Sequence, residues 1–127
     1  MARVLVVDDE PDLVSLLMDQ LTALGHDVVV ARDGIQGVQE ALAWRPDVVL
    51  TDVIMPFMDG PEMLERLRAE PETCAIPVIA LSALTDSKTR ARMSSLGVRC
   101  FLGKPYSLKE LASQIQEAVS AAKSQRP

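Results

Sequence analysis

Apolar residues in this chain gather into short continuous runs, and between the runs they recur at three- and four-residue steps. Val4-Leu5-Val6-Val7, Val48-Val49-Leu50 and Val78-Ile79-Ala80-Leu81 are unbroken, as expected of strands covered on both faces. The pattern predicts strand 3–7, helix 11–24, strand 27–31, helix 34–44, strand 47–51, helix 61–69, strand 77–81, helix 86–96, strand 99–102 and helix 108–122. Uninterrupted strand–helix alternation predicts an α/β fold, with five helices divided between the two faces of a five-stranded parallel sheet.

Local signals agree with these boundaries. Pro11 and Pro61 stand at first-turn positions, Gly25 and Gly97 at helix ends, and Ser107 with Glu110 forms a capping box. In the last helix Leu108, Leu111, Ile115, Ala118, Val119 and Ala122 form one stripe, read as core-facing. Helix 86–96 is the weakest, with only Ala91, Met93 and Leu96 to bury among Lys88, Arg90, Arg92 and several hydroxyls. So little apolar area marks it as the element most able to shift.

At 127 residues with 48% apolar side chains, the chain has the size and core of one domain. Residues 1–122 are assigned to that domain and 123–127 to a polar tail. Without a 20-residue apolar span or a leader-like start, the expectation is a cytoplasmic protein with no membrane contact. Cys74 and Cys100 fit no metal spacing and are expected to be reduced, and His26 is expected on the surface.

The net charge of −5 is unevenly shared. Residues 1–85 hold 15 acidic and 5 basic side chains, −10, whereas residues 86–127 hold 3 and 8, +5. An acidic chain argues against nucleic acid as a direct partner, while its basic last third could meet an acidic protein surface.

The ends of the runs carry the chemistry. Arg3 to Val7 closes on Asp8-Asp9, Asp47 to Thr51 on Asp52, Val78 to Leu81 on Ser82, and Phe101-Leu102 is followed by Lys104-Pro105. An open parallel sheet places its ligand site beyond the carboxyl ends of its strands, so these residues should meet at one edge. Two carboxylates about 4 Å apart repel by about 4 kcal/mol at an effective dielectric near 20, and the cluster therefore calls for a cation. Oxygen donors suit Mg²⁺, with Asp9 and Asp52 as the first choices for direct ligands. Three aspartates, one Mg²⁺ and Lys104 sum to about zero charge, a balance that could accept a phosphoryl group. Asp52 is then the nucleophile, with Lys104 and the Ser82 hydroxyl placed to hold the oxygens.

Taken together, Val6-Val7-Asp8-Asp9-Glu10, Asp52-Val53-Ile54-Met55-Pro56 with Asp59-Gly60, Ile79-Ala80-Leu81-Ser82-Ala83 and Phe101-Leu102-Gly103-Lys104-Pro105 resemble the receiver domain of two-component response regulators over essentially the whole chain. The resemblance implies a flavodoxin-like fold of strand order 2-1-3-4-5, and phosphorylation of Asp52 by a histidine kinase or a phosphotransfer protein. It implies that Asp8, Asp9, Asp52 and the Ile54 backbone carbonyl hold Mg²⁺ and that Lys104, before a commonly cis proline, contacts the phosphoryl group. Ser82 and Phe101 are implied to be the switch pair, acting on a downstream protein through helix 4, strand 5 and helix 5. The protein is then a marked switch, not an enzyme, acting as a monomer or a phosphorylation-dependent dimer. A single-domain regulator or phosphorelay carrier is expected, although a fragment of a longer regulator would look the same. Ile54 and Leu84, both bulky and apolar, could slow hydrolysis of the acyl phosphate.

This sequence departs from the family pattern by Ser at 82, Gly103 before the lysine, Tyr106 where Phe is frequent, and Arg99-Cys100 on the last strand; no chemical group is lost. Two rivals use the same sheet edge. A Mg²⁺-dependent aspartate-nucleophile phosphatase typically has Asp-x-Asp after strand 1, whereas Asp8 and Asp9 are adjacent. In a flavodoxin-type cofactor module, Asp8-Asp9-Glu10 would repel the phosphate.

Overall fold

A computed structural model describes residues 2–53, 57–81, 86–103 and 106–124. In it the predicted alternation forms β1 (Arg3–Val7), α1 (Pro11–Ala23), β2 (Asp27–Ala31), α2 (Gly34–Trp44), β3 (Val48–Thr51), α3 (Gly60–Ala69), β4 (Val78–Leu81), α4 (Ser87–Ser95), β5 (Val98–Leu102) and α5 (Leu108–Ser124). The five strands are parallel, in the order β2-β1-β3-β4-β5. This is the flavodoxin-like topology expected from the sequence.

Boundaries differ by the chemistry of caps. Asp59 accepts a hydrogen bond from the Glu62 amide at 3.0 Å, so α3 starts at Gly60, one residue before the predicted start. Asp86 caps α4 through the Thr89 amide at 2.7 Å, which moves that start to Ser87. α5 continues to Ser124, into the stretch assigned to the tail.

Alternate residues of the central strands feed two cores. Leu5, Val7, Val49, Val78 and Ala80 pack with Ala41 of α2, Met63, Leu64 and Leu67 of α3, and Met93 of α4. Val4, Val6, Val48, Leu50, Ile79 and Leu81 pack with Leu17 and Leu21 of α1 and Leu111, Ile115 and Ala118 of α5. The continuous runs are thus buried on both faces, as the absence of alternation in them predicts. On the edge strand β5 the register with β4 skips Arg99, an exposed residue at a bulge, which disfavours pairing with another sheet.

α4 is held mostly by polar ties. Met93 is its one fully buried side chain. Arg68, at the end of α3, donates to the carbonyls of Ile76 at 2.7 Å, Cys74 at 3.0 Å and, past the end of α4, Leu96 at 2.8 Å. Burial lowers the pKa of this guanidinium, but it stays charged over the accessible range. Arg92 of α4 pairs with Glu65 of α3.

Cys74 and Cys100 are free. His26 is half-buried, its Nδ1 accepting from the Ala2 amide at 3.2 Å. Among the described residues no helix is long and apolar enough to cross a membrane.

Candidate functional site

Both acidic positions are placed by extension of the strand ladders. The Asp8 amide donates to the Ala31 carbonyl at 3.0 Å, and the Asp52 amide to the Val7 carbonyl at 2.9 Å. Each side chain therefore leaves the carboxyl edge of β1 or β3, where the strand order reverses and an open sheet has its crevice. Asp8 is 1% exposed, Asp52 is half-buried and Asp9 faces solvent. One carboxylate oxygen from each of the three lies within 4.8 Å of the others.

Backbone amides fix the two inner carboxylates. Asp8 Oδ1 accepts from the Glu10 amide at 3.0 Å, and Asp52 Oδ1 from the Val53 amide at 2.7 Å. The Gly60 amide donates to the Val53 carbonyl at 2.8 Å. A Cβ at Gly60 would lie 3.0 Å from the Asp52 carbonyl oxygen, so glycine allows α3 to start directly against the acceptor strand. On the other flank a Cβ at Gly34 would lie 2.4 Å from the Met58 carbonyl oxygen, which accepts from the Gly34 amide at 3.1 Å. Directly before Met58, Phe57 is 85% exposed with φ +67°.

These donors suit Mg²⁺: hard oxygens, closely grouped, one of them deeply buried. Unbalanced, such a group costs stability, and an exposed one costs less because water screens it.

Of the other predicted site residues, Phe101 lies on β5 opposite Ala80, half-buried, with the Arg90 guanidinium 4.3 Å from the ring centre. Ser82, Lys104 and the Ile54 carbonyl lie outside the described residues, as do Leu84 and the Lys104-Pro105 bond. Sequence reasoning missed the Arg90 contact. In the sequence Arg90 is only one of the polar residues of a weak helix, and nothing local points from residue 90 to residue 101.

Tyr106 borders the cluster. Burial pushes its phenol up to about 12, and the negative charge of Asp8 acts in the same direction. Its hydroxyl is buried without a hydrogen-bond partner among the described residues. Leaving such a group buried costs about 1 kcal/mol or more, so Tyr106→Phe is expected to raise unfolding free energy by about 1 kcal/mol at neutral pH, read by urea denaturation. The pH sign follows from the raised folded-state value. The phenol's preference for the native state is complete below its unfolded pKa near 10 and is lost as pH rises towards 12. The wild type should therefore lose more stability than Tyr106→Phe over that interval, and equal losses would contradict the assignment.

Comparison with known proteins points one way. Residues 4–116 match the family described as response regulator receiver domain. The chain is 33% identical to hybrid signal transduction histidine kinase D of Dictyostelium discoideum over 97% of its own length and 8% of that protein's. It is also 33% identical to the DNA-binding dual master transcriptional regulator RpaA of Synechocystis, over 91% of this chain and 48% of that one. It thus spans about half or less of these curated relatives. Among solved structures, the receiver domain of sensor histidine kinase PA1611 from Pseudomonas aeruginosa PAO1 superposes with a TM-score of 0.86 at 30% identity, covering 94% of this chain and 98% of that one. That structure holds a magnesium ion coordinated in its active site cleft.

Proposed function

The chain belongs to the response regulator receiver domain family, a phosphoacceptor of two-component signalling, and from that premise we propose that Asp52 is the residue phosphorylated. The observation that carries this reading is the meeting of the Asp8, Asp9 and Asp52 carboxylates at the carboxyl edge of β1 and β3. The receiver unit is assigned to residues 1–122.

Asp8, Asp9, Asp52 and the Ile54 carbonyl would hold Mg²⁺. When bound, the ion supplies positive charge that offsets the carboxylates and the incoming phosphoryl oxygens. The chain's own part is positioning. The Val53 amide fixes one Asp52 oxygen, which orients the carboxylate for in-line attack. A carboxylate oxygen then bonds to phosphorus as the phosphorus–nitrogen bond of a partner's phosphohistidine breaks, the electron pair leaving on the imidazole. Lys104 and the Ser82 hydroxyl are assigned to the phosphoryl oxygens. The acyl phosphate carries about −1.5 to −2 charges where the free carboxylate carried −1, and its added charge and acceptor oxygens draw both side chains inward. Space left by Ser82 is filled by Phe101, and the face of α4, β5 and α5 changes its affinity for a protein target.

The donor is a histidine kinase or phosphotransfer protein, and the setting cytoplasmic. Alone or as part of a longer regulator, this receiver unit acts through protein contacts, as a monomer or a phosphorylation-dependent dimer, with no direct contact of its own to nucleic acid or membrane. The domain is marked by others and turns over no external substrate.

Incubation with a small phosphodonor such as phosphoramidate and Mg²⁺ should add one phosphoryl mass to the intact protein, and a chelator should prevent it. No mass gain would refute the reading. The metal sites are tested separately by heating. At ten times its dissociation constant, Mg²⁺ should stabilise the fold by about 1.4 kcal/mol, raising the melting temperature by about 5 °C. Asp9→Asn should lose most of that shift, and an unchanged shift would remove Asp9 from the ligand set.

A further inference from the structure

Phe101 and α4 are joined by a contact that the proposed switch does not use. Phe101 stands opposite Ala80, which offers only a methyl group beside it, two residues before Ser82. Its ring is half-buried, and the exposed Arg90 guanidinium lies 4.3 Å from the ring centre. Arg90 is on the second turn of α4, the helix with one fully buried side chain. Past the other end of that helix, Arg68 bonds the Leu96 carbonyl at 2.8 Å. α4 is thus pinned near its C-terminus by Arg68 and Met93, while its N-terminal half meets β5 through an arginine lying on an aromatic ring.

The geometry points to Arg90 as a latch on Phe101: stacked on the ring, it holds the side chain in the half-buried position seen here and opposes the movement into the space of Ser82 that accompanies phosphorylation. This rests on the reading of Phe101 as the switch aromatic. The guanidinium is attracted to the face of the ring, and an inward rotation takes the ring out from under it. Because the conformation of Phe101 and the occupancy of Asp52 are linked, whatever holds the ring in place weakens phosphoryl binding by up to the same factor. Arg90 is a positioning residue that touches no reacting atom. It also ties α4 to the ring, so release of the stack loosens the helix on the output face.

The sign of the effect separates this role from simple electrostatics. Removing a positive charge from the domain weakens binding of an anion, whereas removing the latch tightens it. Beryllofluoride, an anionic mimic of the acyl phosphate, is titrated into the intact protein at saturating Mg²⁺ and followed by amide NMR shifts. Arg90→Ala is expected to lower the midpoint about two- to fivefold, the range of a cation–π contact at an exposed site. Arg90→Lys keeps the charge but not the planar stack, and should fall between. In a Phe101→Leu background, Arg90→Ala should produce no further change. An unchanged or raised midpoint in Arg90→Ala, or an equal drop in the Phe101→Leu background, would overturn the latch while leaving the phosphoacceptor reading intact. No response of the wild type to beryllofluoride would instead remove the phosphoacceptor reading, and the latch with it.

Discussion

Replacement of Asp52 by alanine is expected to end phosphoryl acceptance, cutting incorporation from a small phosphodonor by on the order of a thousandfold or more, because a displaced nucleophile has no substitute. The neighbours do not fill the role. Asp8 is 1% exposed, so an incoming phosphorus cannot approach it in line. Asp9 is exposed, on the loop before α1, where water competes for its carboxylate. Asp52 alone extends the central strand β3, is half-buried, and has one oxygen fixed by an amide at 2.7 Å. The fold should survive, since the Asp52 amide keeps its bond to the Val7 carbonyl and no apolar contact is lost. Intact mass after incubation with phosphoramidate and Mg²⁺ gives the readout, with circular dichroism confirming the fold. A labelled Asp52→Ala protein would move the acceptor to Asp8 or Asp9 and end the present assignment.

The acidic site was legible because it needs little tertiary information. Parallel strands bring their carboxyl ends to one edge, so residues following β1 and β3 must meet once the alternation is recognised, and Asp8, Asp9 and Asp52 do. The weakness of α4 was equally readable, since a helix with few apolar side chains has little to bury, and Met93 is what it buries. Contacts made by long polar side chains were not readable. Arg68 reaches carbonyls up to 29 residues away, and Arg90 lies over a ring on another element. Neither follows from helical period or strand alternation, because a flexible guanidinium can serve many faces and sequence spacing does not say which. The left-handed conformation of Phe57 is a further example: bulky residues disfavour φ near +67°. Phe57 directly precedes Met58, whose carbonyl accepts from the distant Gly34 amide.

Leu50→Ala is expected to lower unfolding free energy by about 3 kcal/mol, within the range of about 2–5 kcal/mol for buried leucine truncations. Leu50 is fully buried on β3, the strand in the middle of the sheet, and packs in the cluster built from Leu17 and Leu21 of α1 and Leu111 and Ile115 of α5. Two terms add: the transfer free energy of the lost atoms, and a cavity that the flanking strands β1 and β4 prevent from closing. The loss is a large part of the 5–15 kcal/mol typical of a domain, and should lower the melting temperature by about 10 °C. Its effect on the site is expected to be small. Asp52 is held by backbone bonds to Val7 and Val53, and the Leu50 side chain serves the core cluster opposite the one containing Val53. Below its melting temperature the variant should therefore take phosphoryl label at close to the wild-type rate. Urea unfolding with a wild-type slope and a lowered midpoint would show the stability term alone. A tenfold loss of labelling in the folded variant would show that packing beneath β3, not backbone hydrogen bonding, sets the position of the acceptor.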